Sequence, residues 1–151
     1  LVGRGEHERR LRELAAELHV AHRVVFGGYR TGSALVAAYR ALDVAIWLRE
    51  GNDGACRGVL EAMACGVPVL AGDEGAPAEL AAACGRVVDP RDPAAIAEAL
   101  SSLLGDPAAA RGLGAAARAR AEVFTDARFG EAVLAFYRAM RALPPSDRAP
   151  A

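Results

Sequence analysis

Two short apolar runs, Val44-Ala45-Ile46-Trp47-Leu48 and Val67-Pro68-Val69-Leu70-Ala71, constrain the fold of this chain most. The first is continuous enough to suit a strand buried on both faces of a parallel sheet, and the second reads as the next strand, with Pro68 near its start. Parallel neighbours need a crossover between them, ordinarily a helix. The residues between the two runs supply one, reaching about Cys65 and stopped by Gly66, a residue suited to the left-handed turn that ends helices.

The alternation extends both ways along the chain. Leu11, Leu14, Ala15 and Leu18 recur at three- and four-residue steps, which predicts an amphipathic helix from Glu6 to Leu18. Leu1-Val2-Gly3 reads as a strand end, and Arg23-Val24-Val25-Phe26 as a strand stopped by Gly27-Gly28. Ser33 is placed to cap a helix through Ala41, with Leu35, Val36 and Tyr39 facing inward. Pro77 suits the first turn of a short helix ending near Ala83, and Gly85 to Val88 reads as a last strand. Asp92-Pro93 and Asp106-Pro107 open helices to about Leu104 and Val123, and Asp126 is expected to cap a final helix to about Leu143. Short connections and alternating elements predict an α/β fold, a Rossmann-like parallel sheet with helices on both faces. Such sheets bind ligands beyond the carboxyl ends of their strands, which singles out the loops at Gly3, Gly27, 49–53 and 72–76.

Composition narrows the function. The net charge is −1 and aromatic residues make up 5%, a poor match to a polyanion-binding or base-stacking nucleic-acid protein. Cys56, Cys65 and Cys84 are widely spaced, and His7, His19 and His22 join them in no ligand pattern, so neither a disulfide framework nor a metal site is expected. The apolar stretch from Ala62 to Ala71 is too short to span a membrane and is cut by Gly66 and Pro68. A reducing, cytoplasmic setting is expected. The chain opens at Leu1 rather than Met and reads as a piece of a longer protein, with residues 1–143 as one domain and 144–151 as a flexible tail.

Gly3-Arg4-Gly5 has the first two glycines of a dinucleotide-binding turn, but Glu8 occupies the third position, where a carboxylate would repel a pyrophosphate. A tight turn into a helix explains it better. Ser33, Ser101 and Ser102 lack the strand-to-helix elbow of a nucleophilic serine.

The segment from Asp53 to Val69 carries the most chemistry. Asp53 stands where it could cap the helix or face a ligand, and Glu61 follows eight positions later. The amides of Gly54, Ala55 and Cys56 are expected at the helix N-terminus, where partial positive charge favours a phosphate and small side chains allow close approach. A carboxylate such as Glu61 accepts from both hydroxyls of a vicinal diol, as on ribose. A nucleoside diphosphate joined to a sugar fits that set; a capped helix with a satisfied acid fits it equally well on spacing alone.

Glu61-Ala62-Met63-Ala64-Cys65-Gly66-Val67-Pro68-Val69 resembles the carboxyl-terminal signature of group-one retaining glycosyltransferases, enzymes of the GT-B fold. Val2-Gly3-x-Gly5, Val24-Val25-Phe26-x-Gly28-Tyr29, the Tyr39 to Ile46 segment and Gly75-Ala76-Pro77-Ala78-Glu79 resemble further segments of that family in order. The resemblance implies one half of a GT-B fold and a donor-binding domain. In it Glu61 holds the donor ribose, Asp53 contacts the transferred sugar in a catalytic position, Gly54, Ala55 and Cys56 offer amides to sugar or diphosphate, and Gly28, Tyr29 and Arg30 border the base. Asp53 stands where the family has Glu, and Ala55 and Cys56 stand where Phe and Gly are common. No DxD-type pair of acids is evident, so no metal or other cofactor is expected; the resemblance further implies an Arg and a Lys upstream that neutralise the leaving diphosphate. An acceptor would be bound by a preceding domain, through which the protein would meet a membrane peripherally. A nucleotide-sugar epimerase of the same fold and a non-catalytic Rossmann-like module are the alternatives.

Overall fold

The computed structural model describes residues 1–48 and 56–142, which fall in two compact units, one up to Leu42 and one from Asp43 onward.

The first unit holds helix α1 (Glu8–Glu17), a 3-10 turn at Ala21–Arg23 and helix α2 (Gly32–Arg40). Exposed ion pairs run along α1, Arg12 to Glu8 at 2.7 Å and Arg9 to Glu13 at 2.6 Å. Of its apolar stripe only Ala15 is buried, while Leu11, Leu14 and Leu18 stay exposed. The strand expected at residues 23–26 does not form. Arg23 ends the 3-10 turn, and the chain beyond it is extended. The Leu1 amino group donates to the Val25 carbonyl at 2.8 Å, and the Gly27 amide donates to the Leu1 carbonyl at 2.7 Å. A third bond, from the Gly3 amide to the Gly28 carbonyl at 2.9 Å, joins the same two segments, but Gly3 (φ +142°) and Gly28 (φ +67°) depart from strand geometry there, and no regular strand results. Ser33 is not the cap of α2. Gly32, at φ +54°, makes the turn, Thr31 takes the N-cap position, and Val36 is exposed rather than inward.

The second unit is built on a parallel three-stranded sheet, β1 (Ala45–Trp47), β2 (Val69–Gly72) and β3 (Gly85–Val88), in the order β1-β2-β3. Ala45, Ile46 and Trp47 pair with Val69, Leu70 and Ala71, and these with Gly85, Arg86 and Val87. All four residues of β2 are buried, because it is the central strand with a neighbour on either side. β1 departs from expectation: Ala45 is buried but Ile46 is 46% exposed, because β1 is an edge strand of this sheet. Helices α3 (Arg57–Ala64), α4 (Gly75–Ala81), α5 (Pro93–Gly105) and α6 (Pro107–Ala121) pack around the sheet, and α7 (Asp126–Ala142) follows.

Val59, Met63, Val69, Ala71, Cys84 and Ala117 form the centre of the core. Two glycines set the approach of α6 to α3. A Cβ on Gly114 would strike the carbonyl oxygen of Gly66, so the two backbones touch where a side chain cannot fit.

Asp92 and Asp106 cap α5 and α6 as expected, each accepting from two amides at 2.9–3.1 Å, with proline in the first turn. Asp126 does not cap α7. It is that helix's first residue, and the Thr125 hydroxyl accepts from the Arg128 amide at 3.3 Å instead. The tail expected at 144–151 lies outside the described residues.

Candidate functional site

Because the sheet is parallel, Trp47, Gly72 and Val88 end their strands at one edge, and α3 and α4 begin from that edge. Each strand-to-helix connection delivers a helix N-terminus there, which is where such sheets hold ligands.

Helix α3 carries Glu61. It starts at Cys56, an N-cap in the left-handed region (φ +47°, ψ +44°), whose carbonyl accepts from the Val59 amide at 2.9 Å. The cap position expected at Asp53 therefore falls to Cys56. Asp53, Gly54 and Ala55 lie outside the described residues. Cys56 is 6% exposed and belongs to the core. A left-handed N-cap with a Cβ is strained, and it falls where glycine is common in the resembled signature.

Several residues of the signature are explained by packing and turn geometry. Val59, Ala62 and Met63 are the buried face of α3. Gly66 adopts φ +77°, its amide donates to the Met63 carbonyl at 2.9 Å, and the Val67 amide donates to the Ala62 carbonyl at 3.1 Å. Those two bonds are the paired closure of a Schellman turn. Pro68 offers its carbonyl to the Ala45 amide at 2.9 Å, tying the turn to β1 before β2 begins. Glu61 stands at the margin of this packing. It is charged, only half-buried, and flanks three buried apolar neighbours without being part of the core.

At the same edge Gly72 closes β2 against Leu48, whose carbonyl a Cβ would meet. Asp73 and Glu74 follow, and Arg91, just past β3, bonds Glu74 at 2.8 Å. Both partners are largely exposed, so this pair bridges two loops at small energetic gain.

In the first unit the residues expected to border a base form a second feature. Gly28 lies between extended chain and Tyr29, and the Gly3 amide donates to its carbonyl at 2.9 Å. The Arg30 Nε donates to the Gly27 carbonyl at 2.9 Å. The Arg4 guanidinium lies 4.6 Å from the Tyr29 ring centroid, and that of Arg12 lies 4.0 Å from the Phe26 centroid. A cavity of about 260 Å³ beside this loop is lined by Gly3, Arg4, Gly5, His7, Phe26 and Gly28 among others. The stacking of Arg4 on Tyr29 was not readable from spacing; an arginine between two glycines was its only signal. The Gly3 to Gly5 segment is the turn into α1 that was expected, with the Glu8 amide donating to the Gly5 carbonyl at 3.3 Å.

Among the described residues no three His, Cys, Asp or Glu side chains gather as a metal site, and no helix is long and apolar enough to cross a membrane. Cys56, Cys65 and Cys84 form no disulfide.

Residues 1–120 match the family described as glycosyl transferases group 1. A GDP-mannose-dependent monoacylated alpha-(1-6)-phosphatidylinositol monomannoside mannosyltransferase of Corynebacterium glutamicum is 39% identical over 129 residues, covering 81% of this chain and 33% of that protein. A D-inositol 3-phosphate glycosyltransferase of Nocardia farcinica is 39% identical over 130 residues, covering 84% of this chain and 28% of that one. The chain thus spans about a third of the length of these relatives. Among solved structures, sucrose-phosphate synthase from Thermosynechococcus elongatus superposes with a TM-score of 0.78 at 31% identity, over 91% of this chain and 35% of that one. Anabaena HepE, solved in complex with UDP-glucose, gives 0.70 at 26% identity, over 80% of this chain and 35% of that one. The α/β fold is that of one half of a GT-B enzyme, and the chain belongs to the group 1 glycosyltransferases.

Proposed function

We propose that this chain is the donor-binding part of a retaining glycosyltransferase that moves a sugar from a nucleoside diphosphate to an acceptor. The observation that carries the reading is Glu61, a half-buried acid on the helix α3, whose Val59, Ala62 and Met63 face the core. In this reading Glu61 accepts from the two ribose hydroxyls. Asp53 contacts hydroxyls of the transferred sugar, and the amides of Gly54, Ala55 and Cys56 face the sugar or diphosphate. Gly28, Tyr29 and Arg30 border the base. The similar mannosyltransferase is named for GDP-mannose, and HepE was solved with UDP-glucose. Both support a nucleoside diphosphate sugar as donor, and they divide over its base.

The reaction breaks the bond between the anomeric carbon and the diphosphate oxygen, and a bond to the acceptor oxygen forms on the same face. The departing diphosphate takes up negative charge, so catalysis consists mainly of stabilising it with amides and cations. The leaving phosphate accepts the acceptor's proton, which removes the need for a separate base. No metal is required in this scheme, and activity is expected to survive a chelator. The acceptor site, peripheral membrane contact and a cytoplasmic location belong to the same proposal, the first two through the remainder of the protein.

Calorimetric titration of this chain with nucleoside diphosphate sugars tests the reading. Glu61→Ala and Glu61→Gln are both expected to abolish measurable donor binding while the fold persists, since neither change touches the core. Donor affinity unchanged in Glu61→Gln would refute the role.

A further inference from the structure

We propose that the loop from Gly27 to Arg30 selects a guanine nucleotide over uracil and adenine nucleotides, with Arg30 as the residue that reads the base. This rests on the donor-binding reading above and adds which base the loop fits.

The Nε of Arg30 donates to the Gly27 carbonyl at 2.9 Å, which fastens one edge of the guanidinium to its own loop. The other edge, with both terminal nitrogens, makes no bond among the described residues and is exposed. A planar guanidinium held this way presents two parallel N–H donors in a fixed direction. Guanine offers O6 and N7 as adjacent acceptors and accepts both. Adenine sets its N6 amino donor beside N7, so one arm of the fork meets a donor. The two carbonyls of uracil flank an N–H, so a fork reaches only one of them.

Tyr29 supplies the stacking surface. Arg4 covers one ring face, at 4.6 Å from the centroid, and the residue remains 61% exposed. Gly28 and Gly32, at φ +67° and +54°, turn the chain on either side of Tyr29 and Arg30. No atom outside the immediate chain lies within 4 Å of where a Cβ would stand at either glycine, which leaves room for a flat ring against the loop. Stacking is indifferent to base identity, so discrimination falls to the Arg30 fork and affinity to the Arg4–Tyr29 pair.

The experiment titrates this chain, Arg30→Lys, Arg30→Gln and Arg4→Ala with GDP, UDP and ADP by calorimetry. The native chain is expected to bind GDP about tenfold or more tighter than UDP or ADP, the scale of one bidentate base contact. Arg30→Lys keeps the charge but not the fork, and it is expected to bring GDP down to the UDP level with UDP unchanged. Arg30→Gln is expected to do the same, and Arg4→Ala to weaken all three by one common factor. Equal affinity for the three nucleotides, or a GDP preference that survives in Arg30→Lys, overturns the base assignment and leaves the donor reading standing. An equal loss for all three in both Arg30 variants assigns Arg30 to the phosphates and overturns the inference as well. No binding of any nucleotide overturns the donor reading itself.

Discussion

The two compact units use apolar residues in opposite ways. In the unit from Asp43 onward, Val59, Ala62, Met63, Val69, Leu70 and Ala71 are fully buried, and two helices meet at a glycine contact. In the unit up to Leu42, Ala15 alone is buried among the described residues, and Val25 and Tyr29 are 76% and 61% exposed. Parallel strands explain the difference. A central strand such as β2 is covered on both sides by its neighbours and by helices, whereas α1 and α2 have no sheet of their own unit to pack on. Candidate residues in the first unit therefore stand on exposed loops, where substitution changes contacts without cost to the core. Glu61, in the second, stands on a packed helix, where neighbours hold a side chain in place.

The comparison is most easily broken at Gly114. In Gly114→Val the new side chain overlaps the Gly66 carbonyl, backbone that cannot rotate away, and a loss of more than about 3 kcal/mol or outright unfolding is expected in urea denaturation. Met63→Ala empties a fully buried position and is expected to cost about 2–5 kcal/mol, read as a lower urea midpoint at constant slope.

Cys84 gives a pH-dependent test of the same core. Burial pushes its thiol above the ordinary value near 9.0, and the charge of Arg120 offsets part of that rise. A group whose folded pKa is raised contributes stability below its unfolded pKa and loses it as pH rises through the folded one. The chain contains no lysine, which removes one class of group that titrates in that range. The urea midpoint is expected to fall more steeply above about pH 9 in the native chain than in Cys84→Ala. Parallel pH profiles would show that the thiol stays hydrated. The smallest effect belongs to the exposed unit: Val25→Thr is expected to change stability by no more than about 0.5 kcal/mol, and a larger loss would mean the extended segment is packed after all.

The sheet and most helices were readable because their signals are local. Asp-Pro pairs bring both a cap and the first-turn proline, and they placed α5 and α6 within two residues at their ends. Glu61 to Val69 was readable as helix, left-handed glycine and strand because each step has its own residue requirement. The strand expected at 23–26 failed because an apolar triplet becomes a strand only beside partners long enough to complete a ladder. Here two glycines with positive φ distort the pairing where it reaches Gly3 and Gly28. Thr125 rather than Asp126 caps α7 because neighbouring residues with equal capping chemistry are told apart only by which one lies outside the first turn.

By itself the sequence determined the order and type of the elements in the second unit, the turn at Gly66 and the identity of the acid on α3. Those follow from periodicity, backbone preference and charge, all set within a few residues. Only the tertiary structure decided that Cys56 turns its side chain into the core, that Gly114 meets Gly66, and that Arg4 lies over Tyr29. Each of these joins residues through the path of the backbone in space, and contacts between distant segments depend on the summed geometry of everything between them.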